Sequence, residues 1–417
     1  MKTFDDQVMR TEDGVPLKIA LKRAERSRNL RALALVAPLF LFIVLTFAAP
    51  IGMLLFRAIY DPDLARNLPA TTEAIRSWNG EGLPDEPVFA ALAADLKAAQ
   101  ENKTAGQIGK RLNYEMSGTR SKILATARMV AKLESGPYKE AFLKQDPRIW
   151  GQPDVWHILK RETKPFTGFY LLAALDHQFD SNGNIVRTAP DQAIFVDIFI
   201  RTLWIAFLVT AFTLLLGYPI AYLLASLPTS TSNLLMILVL VPFWTSLLVR
   251  TTAWVVLLQT NGVINDALIW LGILQERVQL IFNRGGTVLA MTHIQLPFTI
   301  LPIYSVMKTI SPSYMRAARS LGGGPFYSFW RIYFPQTVPG IGAGCLLTFI
   351  LSLGYYITPA LVGGPADQMI SYFVALYTNT ELNWGMASAL GALLLAMTLI
   401  LYLVYNRLVG IDKVKLG

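Results

Sequence analysis

Runs of apolar residues recur along the chain at 32–56, 194–226, 234–259, 287–307, 338–362 and 386–409, separated by polar or turn-forming stretches. About 20 helical residues cross the hydrocarbon core of a bilayer, so each run is long enough to span it. The pattern predicts six membrane-spanning helices. The first run follows Lys18, Lys22, Arg23, Arg26, Arg28 and Arg31, with only Glu25 opposing them. It is longer than the apolar core of a secretory signal, and therefore reads as a retained span.

A basic flank marks the cytoplasmic side of a span. Alternation then places the loop at 308–335, with Lys308, Arg316, Arg319 and Arg331, on that same side, together with a tail carrying Arg407, Lys413 and Lys415. Charge and alternation agree on cytoplasmic N- and C-termini. The stretch 57–193 falls on the outer side and is long enough to fold by itself. It holds helical patterns at 88–102 and 118–134 and turn signals at Asp61-Pro62, Gly136-Pro137 and Asn182-Gly183. The expected organisation is a basic N-terminus (1–31), a first span (32–56), an outer insertion (57–193), a five-helix core (194–410) and a short tail (411–417).

Composition supports lipid as the solvent. The 417 residues are 53% hydrophobic and 16% charged, against about 25% charged in soluble domains, and mean hydropathy is +0.42. The net charge of +9 does not call for a nucleic-acid partner, because the cations gather at membrane flanks. Cys345 is alone, so no disulfide or cysteine metal site forms within one chain. Gly106-Gln107-Ile108-Gly109-Lys110-Arg111 looks like a phosphate loop. It fails because Thr104 stands where the first glycine belongs and Arg111 where a hydroxyl must hold magnesium.

Between the fourth and fifth predicted spans lies Arg316-Ala317-Ala318-Arg319-Ser320-Leu321-Gly322, followed after nine residues by Ile332-Tyr333-Phe334-Pro335. Two alanines let a short helix approach another surface, Gly322 can end it in the left-handed conformation, and Pro335 would restart the chain toward the next span. An amphipathic helix lying in lipid headgroups is the competing reading of the same arginines. The spacing resembles the E-A-A-x-x-x-G-x9-I-x-L-P coupling loop of binding-protein-dependent ABC importer permeases, with Arg316 in place of the glutamate and Phe334 in place of the leucine. Further segments resemble the spermidine/putrescine type, among them Gly217-Tyr218-Pro219, Val241-Pro242-Phe243-Trp244 and Leu361-Val362-Gly363-Gly364.

The resemblance implies an all-α integral membrane protein of the inner membrane, with six transmembrane helices of the type I ABC importer permease fold and an insertion between the first and second. It further implies an ABC ATPase homodimer, a second six-span permease subunit and a periplasmic substrate-binding protein as partners within membrane lipid. No cofactor is expected in this chain, ATP and magnesium belonging to the ATPase. Coupling would fall to Arg316, Ala317, Ala318, Gly322, Ile332 and Pro335. No catalytic or metal-ligating residue is expected.

Polar groups inside a membrane are costly and often functional, which singles out Arg250, Trp254, Tyr355, Tyr356 and Thr358 as candidates for a solute pathway. Arg250 also reads as an interface arginine that snorkels. Gln295 draws notice on the same ground, His293 reads as a packing histidine, and Asp197 and Arg201 have the i, i+4 spacing of a neutralising pair. The implied solute is small and polar or cationic, polyamine-like first and amino-acid- or opine-like second. Two rivals remain: an ion-coupled secondary transporter, which needs more intramembrane acids than these spans contain, and a membrane-anchored sensor or enzyme using Asp154, His157 and Glu162 of the insertion.

Overall fold

The computed structural model describes residues 17–180 and 182–409. The tail with Lys413 and Lys415, residues 1–16 of the basic N-terminus, and the side chains of Lys18 and Arg23 lie outside the described residues. The chain divides into two units, 1–56 and 57–417.

In the first unit, helix Leu17–Ile43 runs through a π turn at Val44–Ala48 into Ala49–Phe56. Pro50 has no N–H to give to the preceding turn, and the wider turn just ahead of it accommodates the ring. Thr46 Oγ1 donates to the Phe42 carbonyl at 2.6 Å inside that turn. Residues Arg28–Phe56 are long and apolar enough to cross a membrane.

Four unbroken spans follow in the second unit: Phe195–Ser226, Arg284–Thr309, Pro325–Leu353 and Trp384–Arg407. The expected straight span at 234–259 is instead a pair, Thr229–Trp244 and Leu247–Leu258, bent by 96°. Pro242 tightens the end of the first half into a 3-10 turn, Thr245 is extended, and Ser246 opens a new helix by accepting the Val249 N–H at 3.2 Å. Five helices thus meet the requirement for a span, and six if the bent pair counts as one.

The fifth span also differs from its expected limits of 338–362. Helix resumes at Pro325, passes through a π turn at Phe329–Tyr333 and stops at Leu353. Pro335 therefore lies inside the span, and the restart assigned to it belongs to Pro325, whose fixed φ suits the first turn of a helix. Apolar aromatic residues ahead of Val338 carry the helix backward. At the other end, Gly354, Tyr355 and Tyr356 break it before the short helix Ile357–Val362. Ser371 Oγ covers the freed Leu353 carbonyl at 2.9 Å.

The fourth span is the centre of the bundle, packed against the second and fifth. A Cβ at Gly340 would sit 3.0 Å from the Pro302 carbonyl oxygen, and one at Gly344 2.8 Å from that of Thr299. This i, i+4 glycine stripe lets the fourth and fifth backbones touch, which is how helices gain packing energy where lipid removes the hydrophobic drive. Thr299 and Thr348 share a hydrogen bond of 2.6 Å across the seam, and Ser352 donates to Gln295 Oε1 at 2.8 Å. Gln295 is thus part of the helix interface.

The insertion is a helical domain with its own core. Trp150, Trp156, Phe89 and Phe142 are fully buried, and the Phe89 and Trp156 rings lie 4.4 Å apart. Helices Glu86–Glu101 and Thr119–Val130 match the two predicted patterns. The segment resembling a phosphate loop is part of helix Ala105–Glu115. Its Arg111 is buried and paired with Asp61 at 2.7 Å, Glu115 at 2.9 Å and Glu162 at 2.5 Å. Arg161 closes the cluster against Glu115 and Glu162. Burial works against the charge of the Arg111 guanidinium, and Tyr170 together with Glu115, Glu162 and Asp61 outweighs it and holds the group above its ordinary pKa.

An apolar cluster joins the insertion to the spans, with Ala58, Tyr170 and Ala174 against Phe195, Ile198, Met386 and Leu390, and two further contacts are specific. Asp176 accepts the N–H groups of Ile194, Phe195 and Val196 at 3.0, 2.9 and 2.8 Å, capping the second span. Tyr170 donates to Asp61 at 2.5 Å and lies over Gly385, where an added Cβ would come within 2.4 Å of its ring. Gly385→Ala is expected to push that ring away at a cost of about 1–3 kcal/mol. A lower thermal midpoint and faster proteolysis near Leu382 would register it, and wild-type values would show that the ring moves freely.

Candidate coupling knob and solute pathway

The loop between the fourth and fifth spans forms an exposed knob. Ser311 caps helix Pro312–Ser320, which ends in a Schellman turn: Gly322 stands at φ +87°, its N–H reaches the Arg319 carbonyl at 3.0 Å, and the Gly323 N–H reaches that of Ala318 at 3.0 Å. Arg316 and Ala317 are exposed, Ala318 is half-buried, and no ion pair involves Arg316 or Arg319 among the described residues. Ile332 is half-buried and Pro335 exposed, on the span and apart from the turn.

An aromatic patch adjoins this knob that the motif did not reveal. Phe326, Tyr327 and Trp330 are exposed, and Leu321 is 89% exposed at the tip. Four large apolar side chains held out beside two unpaired arginines have the composition of the centre of a protein interface. The signal was present in the sequence as Phe326-Tyr327-Ser328-Phe329-Trp330, directly after a run of three glycines and Pro325.

The proposed pathway residues meet around the bent third span. Trp254 Nε1 donates to His293 Nδ1 at 3.2 Å, and Thr251 shares a hydrogen bond of 3.1 Å with Thr358. Arg250 lies near both His293 and Tyr355. Among the described residues its Nε and Nη1 are buried without a hydrogen-bond partner, while the residue as a whole is half-buried. Tyr356 is exposed, on the break ahead of Ile357–Val362. Among the described residues this is a guanidinium, an imidazole, an indole and phenols, with no carboxylate facing them.

Two sequence readings change. His293 is exposed and paired with Trp254, so it belongs to this cluster and is not a core packing residue. Asp197 and Arg201 do not neutralise each other: Arg201 donates to the Gln368 carbonyl at 3.3 Å, which draws it toward the chain ahead of helix Ile370–Asn379. Of the insertion residues, Glu162 is spent in the Arg111 cluster and the His157 ring packs against Trp78, tilted by 47° with centroids 4.9 Å apart.

A bundle of lipid-facing helices with polar bonds at its seams and a capped knob beside one span is the architecture of a multi-pass membrane transport subunit. Residues 169–411 match the family described as binding-protein-dependent transport system inner membrane component, and the chain belongs to that family, as a type I ABC importer permease of the inner membrane. It is 32% identical over 214 residues to the Escherichia coli K12 spermidine/putrescine transport system permease protein PotB, covering 51% of this chain and 78% of that relative. To the inner membrane ABC transporter permease protein YdcU of the same organism it is 33% identical over 229 residues, covering 51% and 72%. Among solved structures, a bacterial ABC transporter that imports the acidic polysaccharide alginate aligns with 20% identity and a TM-score of 0.42 over 52% of this chain and 80% of that one. Most of the insertion precedes the matched region.

Proposed function

We propose that this chain lines half of the translocation pathway of an importer, pairing with a second six-span permease, and that two copies of a separate ATPase bind ATP and magnesium beneath it. The knob at Pro312–Ser320 and both termini then face the cytoplasm, the insertion faces outward, and a periplasmic binding protein delivers the solute. A nucleotide moves an equilibrium between inward- and outward-open states only through its different affinity for them, so the knob must pass ATPase closure to the spans as displacement. The carrying observation is the Schellman-capped helix with its exposed aromatic patch next to the fifth span.

PotB supports a polyamine-like solute, which tyrosine and tryptophan faces can hold by cation-π attraction. A second reading rests on Arg250. Two buried guanidinium nitrogens without an acceptor suit a solute that brings a carboxylate, as an amino-acid- or opine-like compound does.

Cysteine placed at Arg319 is expected to crosslink to an ATP-hydrolysing partner in native membranes. The same complex in vesicles, offered spermidine against an amino acid, ranks the two solutes. Crosslinks that never reach an ATPase, or labelling of that cysteine from the outer face, would sink the proposal.

A further inference from the structure

A cleft of about 500 Å³ opens where the insertion meets the head of the last span. One wall is a face of helix Ala105–Glu115, on which Gln107, Lys110, Arg111 and Tyr114 recur at i, i+3, i+4 and i+7. Arg57 and helix Asp63–Asn67, through Asp63 and Arg66, form a second. The turn from Leu382 to Gly385, which opens helix Trp384–Val409, completes the lining.

Most charges here are matched, and what is left over is positive. Arg111 and Asp61 are spent on each other at 2.7 Å inside the buried cluster. Lys110 gives one N–H to the Leu382 carbonyl at 3.2 Å and lies over the Tyr114 ring, which leaves two of its three donors. The Arg57 guanidinium lies over the Trp384 ring, 5.7 Å from its centre, a contact that uses none of its N–H groups. Arg66 is exposed. Among the described residues Arg57, Arg66 and Lys110 belong to no ion pair. Against these three cations stand two carboxylates, Asp63 in the lining and Glu381 near Tyr114.

The place of the cleft in the chain selects the anion. Arg57 directly follows one membrane-spanning segment, Arg28–Phe56, and Trp384 opens another. Tryptophan and arginine are side chains of the headgroup level, where an indole body and a charged tip are both accommodated. The anion supplied at that level is lipid phosphate, and a guanidinium offers it two parallel N–H groups. We infer that the cleft holds the phosphate of an anionic phospholipid, gripped by Arg57, Arg66 and Lys110, with the glycerol end of the lipid against Trp384. The lipid then ties the base of the insertion to the last span. The site depends neither on which solute is transported nor on which side of the membrane the insertion lies.

The test is titration of the purified full chain, in neutral detergent, with dioleoylphosphatidylglycerol and separately with dioleoylphosphatidylcholine, bound lipid being counted by native mass spectrometry. Saturable binding of phosphatidylglycerol is expected, about tenfold tighter than phosphatidylcholine and weakened about tenfold by Arg57→Gln with Arg66→Gln, the scale of losing charge-assisted hydrogen bonds. Lys110→Gln reads the same site from the other wall. Arg120→Gln, an exposed cation outside the cleft, should bind as wild type, and circular dichroism verifies that each variant is folded. Equal binding of the two lipids, or phosphatidylglycerol binding unchanged in both cleft variants, would overturn the site. Displacement of the lipid by equimolar sn-glycerol 3-phosphate would assign the cleft to free phosphate compounds and overturn the lipid.

Discussion

Replacing Arg111 with methionine should unfold the insertion at a much lower temperature than wild type. The substitution keeps an unbranched chain in the space but leaves Asp61, Glu115 and Glu162 without the cation that all three contact. Breaking a buried ion pair from one side costs about 3–5 kcal/mol, because the remaining charge has lost its hydration and gained nothing in return. Trp150 and Trp156, both in the domain core, report the loss through their fluorescence. Burial already pushes the Glu115 carboxyl above its ordinary value, Arg111 opposing it. In the variant the larger part of that opposition is gone and only Arg161 still lowers the carboxyl, so the folded state binds protons more readily than the unfolded chain. Stability should therefore increase as pH falls through the raised value and decline as pH rises through it. A variant with an unchanged midpoint, or one stabilised by alkali, would show that the cluster contributes little.

The second large effect is expected at Gly322. Nothing lies within 4 Å of a Cβ built there, so the space tolerates a side chain and only the backbone objects. At φ +87° a non-glycine residue costs about 1–2 kcal/mol, more if β-branched. Gly322→Val should relieve that strain by unwinding the Schellman turn, loosening the knob while the spans stay folded. In reconstituted complex, import should fall about tenfold, the factor that about 1.4 kcal/mol yields, with assembly and basal ATP hydrolysis retained. Gly322→Asn, which visits the left-handed region more readily, should keep most of the activity. Equal import by the valine variant would remove the turn from the coupling route.

Span number and the knob were legible because each is written locally: apolar runs of bilayer length, and a glycine placed one step past a short helix. The bend in the third span was written locally too, in Pro242 and Ser246, but the continuous apolar run around them masked the interruption. The limits of the fifth span moved because Phe329, Trp330 and Tyr333 are compatible with both a loop and a membrane helix. Most of the Arg111 cluster could not be read in advance: Glu115 stands at i, i+4 on the same helix, but Asp61 and Glu162 lie far off in the chain and are joined to it only by the fold. The same holds for Arg250 and His293, brought together by a bend that a straight helix does not contain.

Asp176 and Tyr170 have a mechanical consequence. One carboxylate grips the leading turn of the second span while one phenol ring presses on that of the last, and both belong to the same small domain. The two tips are yoked, and any stroke that slid one past the other would have to tear hydrogen bonds at one end or lift an aromatic ring at the other. Swinging freedom is left to pieces outside the yoke, the elbow at Thr245 and the stub after Gly354, and both border the Arg250 cluster.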